Sequence, residues 1–131
     1  MQYIYGNYQS HTTCANTSTP EPNAVKSALL YDGSGTMSYH YDNRGNRVRD
    51  CKGSNTVSSY TYDYNNLLIE SNSNITGTSQ FLEFAYGADN QRYRKFDHKN
   101  NEITLYANKD YEQIYDTNGV LKQNKYYITS Y

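Results

Sequence analysis

The sequence predicts an all-β protein built from repeated antiparallel β-hairpins, and three observations support this prediction. A short turn pattern recurs along the chain, and aromatic residues alternate with polar ones beside it. Aliphatic residues are also scarce, because the hydrophobic residues make up only 36% of the 131 residues and 17 of them are tyrosine. Aromatic and β-branched side chains suit a pleated, half-buried surface. A tyrosine hydroxyl needs a partner or water, so a compact, enzyme-like aliphatic core is not expected.

The turn pattern is an aromatic residue, Asp, two variable residues and Gly, as in YDNRG from Tyr41. Its six strict and looser copies begin at Tyr31, Tyr41, Tyr62, Tyr86, Phe96 and Tyr115. The fifth position is always Gly or Asn, which tolerate positive φ best. The Asp can accept hydrogen bonds from the turn backbone, so each copy is predicted to be a hairpin turn. The turn residues are Asp32, Gly35, Asp42, Gly45, Asp63, Asn66, Asn90, Asp97, Asn100, Asp116 and Gly119.

The flanking segments show the period-two alternation of strands. Tyr39 and Tyr41 are predicted to share one face, with His40 on the other. The first aromatics of the copies are separated by 10, 21, 24, 10 and 19 residues. A repeat of about 20 residues is typical of stacked architectures in which each unit leans on its neighbours. The repeat aromatics are Tyr31, Tyr39, Tyr41, Tyr60, Tyr62, Phe84, Tyr86, Phe96, Tyr106, Tyr115 and Tyr127.

Two regions are expected. Residues 1–23 are predicted to contain an N-terminal strand and a loop with both prolines, and residues 24–131 about five to six hairpin units. The Ser-, Thr- and Asn-rich segments 14–23, 53–59 and 71–79 are interpreted as loops between hairpins. No convincing helix is predicted, although residues 24–30 could form a helical turn or two.

These residues resemble a known family. The stretches YDNRGNRV and YDTNGVLK resemble the YD repeat of Rhs proteins, which also occurs in the C subunits of insecticidal toxin complexes and in teneurins. PNAVKSA and TLYANKDYEQIYDTNGVLKQNKYYI resemble the sequences that accompany such repeats. The resemblance covers most of residues 22–131. It implies a long ribbon of β-hairpins that spirals into a shell. In bacterial members this shell encloses a toxic C-terminal domain, and an aspartic-protease-like self-cleavage leaves that domain inside.

The printed sequence is shorter than such a shell and contains no Asp-Pro-rich cleavage region. We therefore expect a curved ribbon, a shell fragment, or a stacked solenoid-like or filament assembly. Its expected role is that of a structural scaffold segment rather than an enzyme. Its expected partners are copies of itself or flanking YD repeats. Its expected location is the surface or exterior of a bacterium. Export by a specialised route is expected, because residues 1–10 do not resemble a signal peptide.

The sequence predicts no catalytic residues, metal or cofactor. His11 and Cys14 are spaced like two metal ligands, but a structural zinc needs about four. No nucleophile-elbow sequence accompanies the abundant Ser and Asp. Cys14 and Cys51 could form a disulfide, but the sequence is at least as compatible with two free thiols.

A second function, binding of a glycan or receptor through the tyrosine and arginine faces, stays open. The residues proposed for ligand or anion contact are Arg44, Arg47, Arg49, Arg92 and Arg94. A net charge of −1 argues against nucleic acid, and no apolar run is long enough to span a membrane. The competing interpretation places the arginine stems over tyrosine rings as a solvated strand face.

Overall fold

A computed structural model describes residues 3–6, 14, 24–30, 35–75 and 77–128. Within these residues, eleven strands form one open sheet in which every strand pairs antiparallel with the next along the chain. The predicted all-β class and its repeated antiparallel hairpins are confirmed. The strands are β1 (Tyr3–Gly6), β2 (Ala24–Leu29), β3 (Thr36–Tyr41), β4 (Arg47–Lys52), β5 (Asn55–Tyr62), β6 (Leu68–Ile75), β7 (Thr78–Tyr86), β8 (Arg92–Asp97), β9 (Glu102–Asn108), β10 (Tyr111–Asp116) and β11 (Leu121–Tyr126).

Consecutive turns of this meander fall alternately on two edges of the sheet. The turns β3–β4, β5–β6 and β7–β8 lie at the same end of the strands, along the border of the sheet that we call the upper edge. The turn copies that begin at Tyr41, Tyr62 and Tyr86 are therefore neighbours. The copies at Phe96 and Tyr115 join β8 to β9 and β10 to β11, so they lie on the opposite edge. The five copies within the described residues thus form two rows.

Four hairpins share the same irregularity just after the turn. Tyr41 pairs with Arg47 but His40 pairs with Arg49, so Val48 is an extra residue on β4. The same one-residue shift follows the other turns of this type, at Ile69, Tyr93 and Lys122. An extra residue on one strand is a β-bulge, which bends the strand and increases its twist. The turn and its bulge therefore repeat as one unit.

For two polar segments, the interpretation as loops is wrong. Most of residues 53–59 lies in β5, and most of residues 71–79 lies in β6 and β7. Their polar side chains face one another across the strands, as in the pair Ser58 and Ser73. Cross-strand Thr and Ser pairs stabilise a sheet, which explains why this composition forms strands. Residues 24–29 form β2 rather than a helical turn, because β1 and β3 both pair with it.

The pairing register divides the repeat aromatics between two faces. The tyrosine face is the face that carries Tyr39, Tyr41, Tyr60, Tyr62, Phe84, Tyr86 and Tyr106. Buried hydrophobic residues in the described part of the chain are few: Ala28, Cys51 and Ile114. Buried polar or charged residues outnumber them: His40, Asp50, Ser58, Asp97, Thr104 and Glu112. The stability of this sheet must therefore come from many repeated cross-strand contacts.

The N-terminal strand predicted within residues 1–23 is β1, and it belongs to the same sheet as the repeats. The proline-containing loop, together with Tyr31 and Asp32, lies outside the described residues.

Candidate functional site

A row of tyrosine hydroxyls links successive hairpins near the upper edge. The hydroxyl of Tyr62 donates to the carbonyl oxygen of Arg47 at 3.1 Å, and that of Tyr86 donates to Leu68 at 2.8 Å. Tyr41 donates in the same way to Val25 at 2.8 Å. Each tyrosine is the last residue of its strand, and each acceptor lies on the preceding strand. We call these three bonds the tyrosine ladder.

The ladder is continuous because each acceptor is also a partner in the preceding hairpin. Arg47 pairs with Tyr41 across the first hairpin, and Leu68 pairs with Tyr62 across the next. Partial burial raises the pKa of all three ladder tyrosines, which further favours the protonated hydroxyl that donates each bond.

The turns of neighbouring hairpins are also joined directly. The guanidinium of Arg44 donates to the carbonyl oxygen of Tyr64 at 3.2 Å, twenty residues along the chain. The side-chain amide of Asn46 donates to Asn66 at 2.9 Å. Each of these two bonds joins residues that are 20 positions apart in sequence, which is about the length of one repeat. The upper edge between the Tyr41 and Tyr62 hairpins is thus held by side chains as well as by the sheet.

The turn aspartates act on their own backbone. One carboxylate oxygen of Asp42 accepts from the N–H groups of Arg44 and Asn46, both at 2.9 Å. Asp63 and Asp116 make the same pair of bonds two and four residues ahead. Burial would raise the pKa of Asp42, but the hydrogen bonds from Asn46 and Arg44 outweigh it and hold that pKa below its usual value. These carboxylates are therefore turn-forming groups.

The fifth residue of each described turn copy has positive φ, with one exception. Gly45 and Gly119 have φ of 83° and 82°, and Asn66 and Asn90 have 62° and 60°. In the Phe96 copy, Asn101 rather than Asn100 adopts positive φ, at 51°. Pairing of Asp97 with Glu102 makes this turn one residue longer. Asn100 instead donates through its amide to Asp97 at 2.9 Å.

A polar cluster stands on the tyrosine face between β3 and β5. The guanidinium of Arg47 pairs with Asp50 and lies 4.0 Å above the ring of Tyr39. The hydroxyl of Tyr60 donates to the other oxygen of Asp50 at 2.8 Å. Asp50 is buried, and these two donors offset the cost of its desolvation. Arg47 is thus held by neighbouring side chains, as the packing interpretation expects.

The five arginines proposed for ligand or anion contact lie in different parts of the sheet. Arg47 and Arg92 lie on the tyrosine face, whereas Arg49 and Arg94 lie on the opposite face because they pair with His40 and Ala85. Arg44 is in a turn. The five therefore do not form one patch.

The ladder stops at Tyr86. Tyr106 is the next tyrosine in sequence on the tyrosine face, but among the described residues its hydroxyl makes no bond to β8 of the ladder type. Tyr115 lies on the opposite face, where it donates to Gln113 at 3.1 Å. A groove of about 850 Å³ opens beyond Tyr86, between β8 and β11. Its walls include Arg92, Lys95, Tyr106, Glu112, Lys125 and Tyr127.

Glu112 and Lys125 are among the groove residues that escape the sequence-based prediction. They pair across β10 and β11 and form an ion pair with an N–O distance of 3.2 Å. Counting back from the YDTNG turn, including its bulge, would have placed them opposite each other. Burial raises the pKa of Tyr106, with a further contribution from Glu112 that Arg92 opposes. A hydrogen bond to Glu112 raises the pKa of Tyr127.

The opposite face carries a covalent link. Cys14 and Cys51 form a disulfide with their Cα atoms 5.8 Å apart. Cys51 is completely buried on β4. The bond decides between the two alternatives left open by the sequence and fixes residue 14 to the middle of the sheet.

No protein-family model matches this chain, and searches of curated proteins and of solved structures find no match. In the described ranges, no helix is long and apolar enough to cross a membrane. The same residues contain no cluster of three or more His, Cys, Asp or Glu side chains suited to a metal ion.

Proposed function

We propose that this chain is a structural scaffold segment of the YD-repeat type, which builds a wall from hairpins laid side by side. The observation that supports it is the tyrosine ladder. In this ladder the same hydrogen bond, from a tyrosine hydroxyl to a backbone carbonyl oxygen of the preceding strand, recurs in successive hairpins. Side chains at repeat positions are used to join one unit to the next. A scaffold made of small units needs such repeated contacts, because stability is then roughly a sum of unit and interface terms.

The two outermost strands of the described sheet indicate how a second copy would extend such a wall. Among the described strands, β1 pairs only with β2, and β11 pairs only with β10. Unpaired strand edges are templates for another strand. Pairing β11 with β11 of a second copy would bring Lys122 and Lys125 of both copies together, whereas β1 (YIYG) carries no charge. Head-to-tail pairing of β11 with β1 avoids this repulsion, and such contacts form open filaments unless the rotation closes.

Sedimentation velocity and negative-stain imaging of the purified chain over a wide concentration range test this proposal. We expect association that increases with concentration and produces elongated particles. Ile4→Lys places a charge on β1 and is expected to weaken association. The matched control Ser54→Lys adds the same charge in an exposed turn and should associate like the unmodified chain. A chain that stays monomeric at every concentration would contradict self-assembly.

A further inference from the structure

The open end of the β10–β11 hairpin carries two tyrosines directly opposite each other. Tyr111 begins β10, Tyr126 ends β11, and the register pairs them. The backbone N–H of Tyr127 donates to the carbonyl oxygen of Asp110 at 2.8 Å, so residues 110 and 127 form a hydrogen-bonded pair. Tyr111 and Tyr126 are therefore the adjacent non-hydrogen-bonded pair, the kind in which facing side chains lie closer together.

The rings of these two tyrosines are stacked. Their centroids are 4.7 Å apart and their planes differ by 23°. This distance is near the short end of the range for aromatic pairs. Within the described residues, the other ring pairs both involve His98, so Tyr111 and Tyr126 are the only tyrosine rings in such contact. The chain thus brings two phenols together at one place.

The hydroxyl ends of the two rings also meet. The hydroxyl of Tyr111 donates to the side-chain oxygen of Asn124 at 2.9 Å, and the amide of Gln113 donates to the same oxygen at 3.2 Å. Asn124 therefore holds the ring of Tyr111 in one orientation. Partial burial raises the pKa of Tyr111, and a hydrogen bond with the hydroxyl of Tyr126 raises it further. The Cε atoms, which flank the carbon that bears the oxygen, thus lie at the same end of the stack.

The pair is open to solvent and sits on an outermost strand. Tyr126 is 70% exposed, so a dissolved oxidant can reach its ring. Among the described strands, β11 pairs only with β10. A strand with one neighbour leaves its other edge unpaired. A covalent bond between the two rings would fix β11 to β10 at the end opposite their turn, as the disulfide of Cys51 fixes residue 14 to β4.

We propose that Tyr111 and Tyr126 form an oxidative cross-linking site, at which hydrogen peroxide and a haem peroxidase join the two rings as dityrosine. Each phenol gives up one electron and its hydroxyl proton and becomes a phenoxyl radical. The two radicals form one carbon–carbon bond between their Cε atoms. The hydrogen on each of these carbons then leaves as a proton, and each oxygen regains a proton.

Hydrogen peroxide takes up the two electrons and two protons and becomes two molecules of water, so the chain loses two hydrogen atoms in total. The cross-link is independent of wall assembly, because it needs only the β10–β11 hairpin of one chain. It closes residues 111–126 into a covalent ring, which restricts the unfolded chain in the way that a disulfide does.

Treatment of the full chain in dilute solution with a haem peroxidase and limiting hydrogen peroxide tests the proposal. Trypsin cleaves after lysine, which places Tyr111 in peptide 110–122 and Tyr126 in peptide 126–131. We expect dityrosine fluorescence and these two peptides joined with the loss of two hydrogen atoms. Fragment sequencing should place the bond at Tyr111 and Tyr126, and the product should run as a single chain on a denaturing gel. Absence of dityrosine, or bonds formed mainly between other tyrosines or between separate chains, would overturn the proposal.

Tyr126→Phe keeps the ring but cannot form a phenoxyl radical, so we expect it to lose the joined peptides and most of the fluorescence. The matched control is Tyr127→Phe, which removes the next tyrosine in sequence. Tyr127 is also exposed, at 53%, but its hydroxyl bonds Glu112 instead. This variant should give the joined peptides in the yield of the unmodified chain. Thermal melting confirms that both variants fold. Equal loss of the product in the two variants would show that the stacked pair is not the site.

Discussion

The hydroxyl of Tyr62 lies 3.1 Å from the carbonyl oxygen of Arg47, on the strand before its own. Tyr62→Phe removes this donor and leaves the ring in place. We expect the free energy of unfolding to fall by about 1 kcal/mol, the usual net value of such a bond. Urea denaturation measures the change. Tyr64→Phe is the matched control, since Tyr64 is 83% exposed, and it should alter stability by less than about 0.5 kcal/mol. Equal losses in both variants would rule out a stabilising role for the ladder.

Gly45 has φ of 83°, and a Cβ atom built there meets nothing within 4 Å. Replacement by Ala therefore costs only backbone strain, which is about 1–2 kcal/mol for an L-residue in the left-handed region. Gly45→Asn should cost less, because Asn tolerates this conformation and occupies the same position at Asn66. Chemical denaturation of the two variants makes the comparison. The interpretation of this turn fails if Asn is as costly as Ala.

Acid is expected to destabilise the sheet through its turn aspartates. For Asp42 and Asp97, burial acts to raise the pKa, but hydrogen bonds from Asn46 and Asn100 respectively help to lower it overall. A carboxyl with a lower pKa in the folded state contributes stability above its unfolded pKa, and this is lost as pH falls through the folded value. Thermal stability should therefore decline below about pH 4, the ordinary aspartate pKa.

Melting temperatures measured from neutral pH downwards test this decline. Asp42→Asn keeps an accepting oxygen but cannot ionise, so its melting temperature should fall less steeply with acid than that of the unmodified chain. An identical slope in the two proteins would show that Asp42 does not contribute to the acid sensitivity.

Reduction of the Cys14–Cys51 disulfide is expected to lower stability by about 2–4 kcal/mol, because the bond closes a long loop in the unfolded chain; the two residues are 37 apart in sequence. Denaturation with and without reductant measures this loss. Cys51→Ser should cost more than Cys14→Ser, since Cys51 is 0% exposed and burying a hydroxyl without a partner costs about 1–3 kcal/mol more. Unchanged stability on reduction would contradict a structural role for the bond.

The turns could be predicted from sequence because their chemistry is local. An Asp that bonds its own backbone and a Gly or Asn at positive φ act within five residues, as at Asp42 and Gly45. Asn101 escaped prediction because its turn is one residue longer, which depends on how Asp97 pairs with Glu102. The polar strands β5 and β6 escaped because Ser and Asn gain strand character only from the strands beside them.

The sequence by itself determined the hairpin class, the positions of most turns and the dependence on tyrosine in place of aliphatic packing. The tertiary structure decided which edge each turn occupies and which face each side chain reaches. It placed Tyr62 against Arg47 and Cys14 against Cys51. The physical reason is that face and neighbour depend on register, and each one-residue bulge shifts the register of everything paired beyond it.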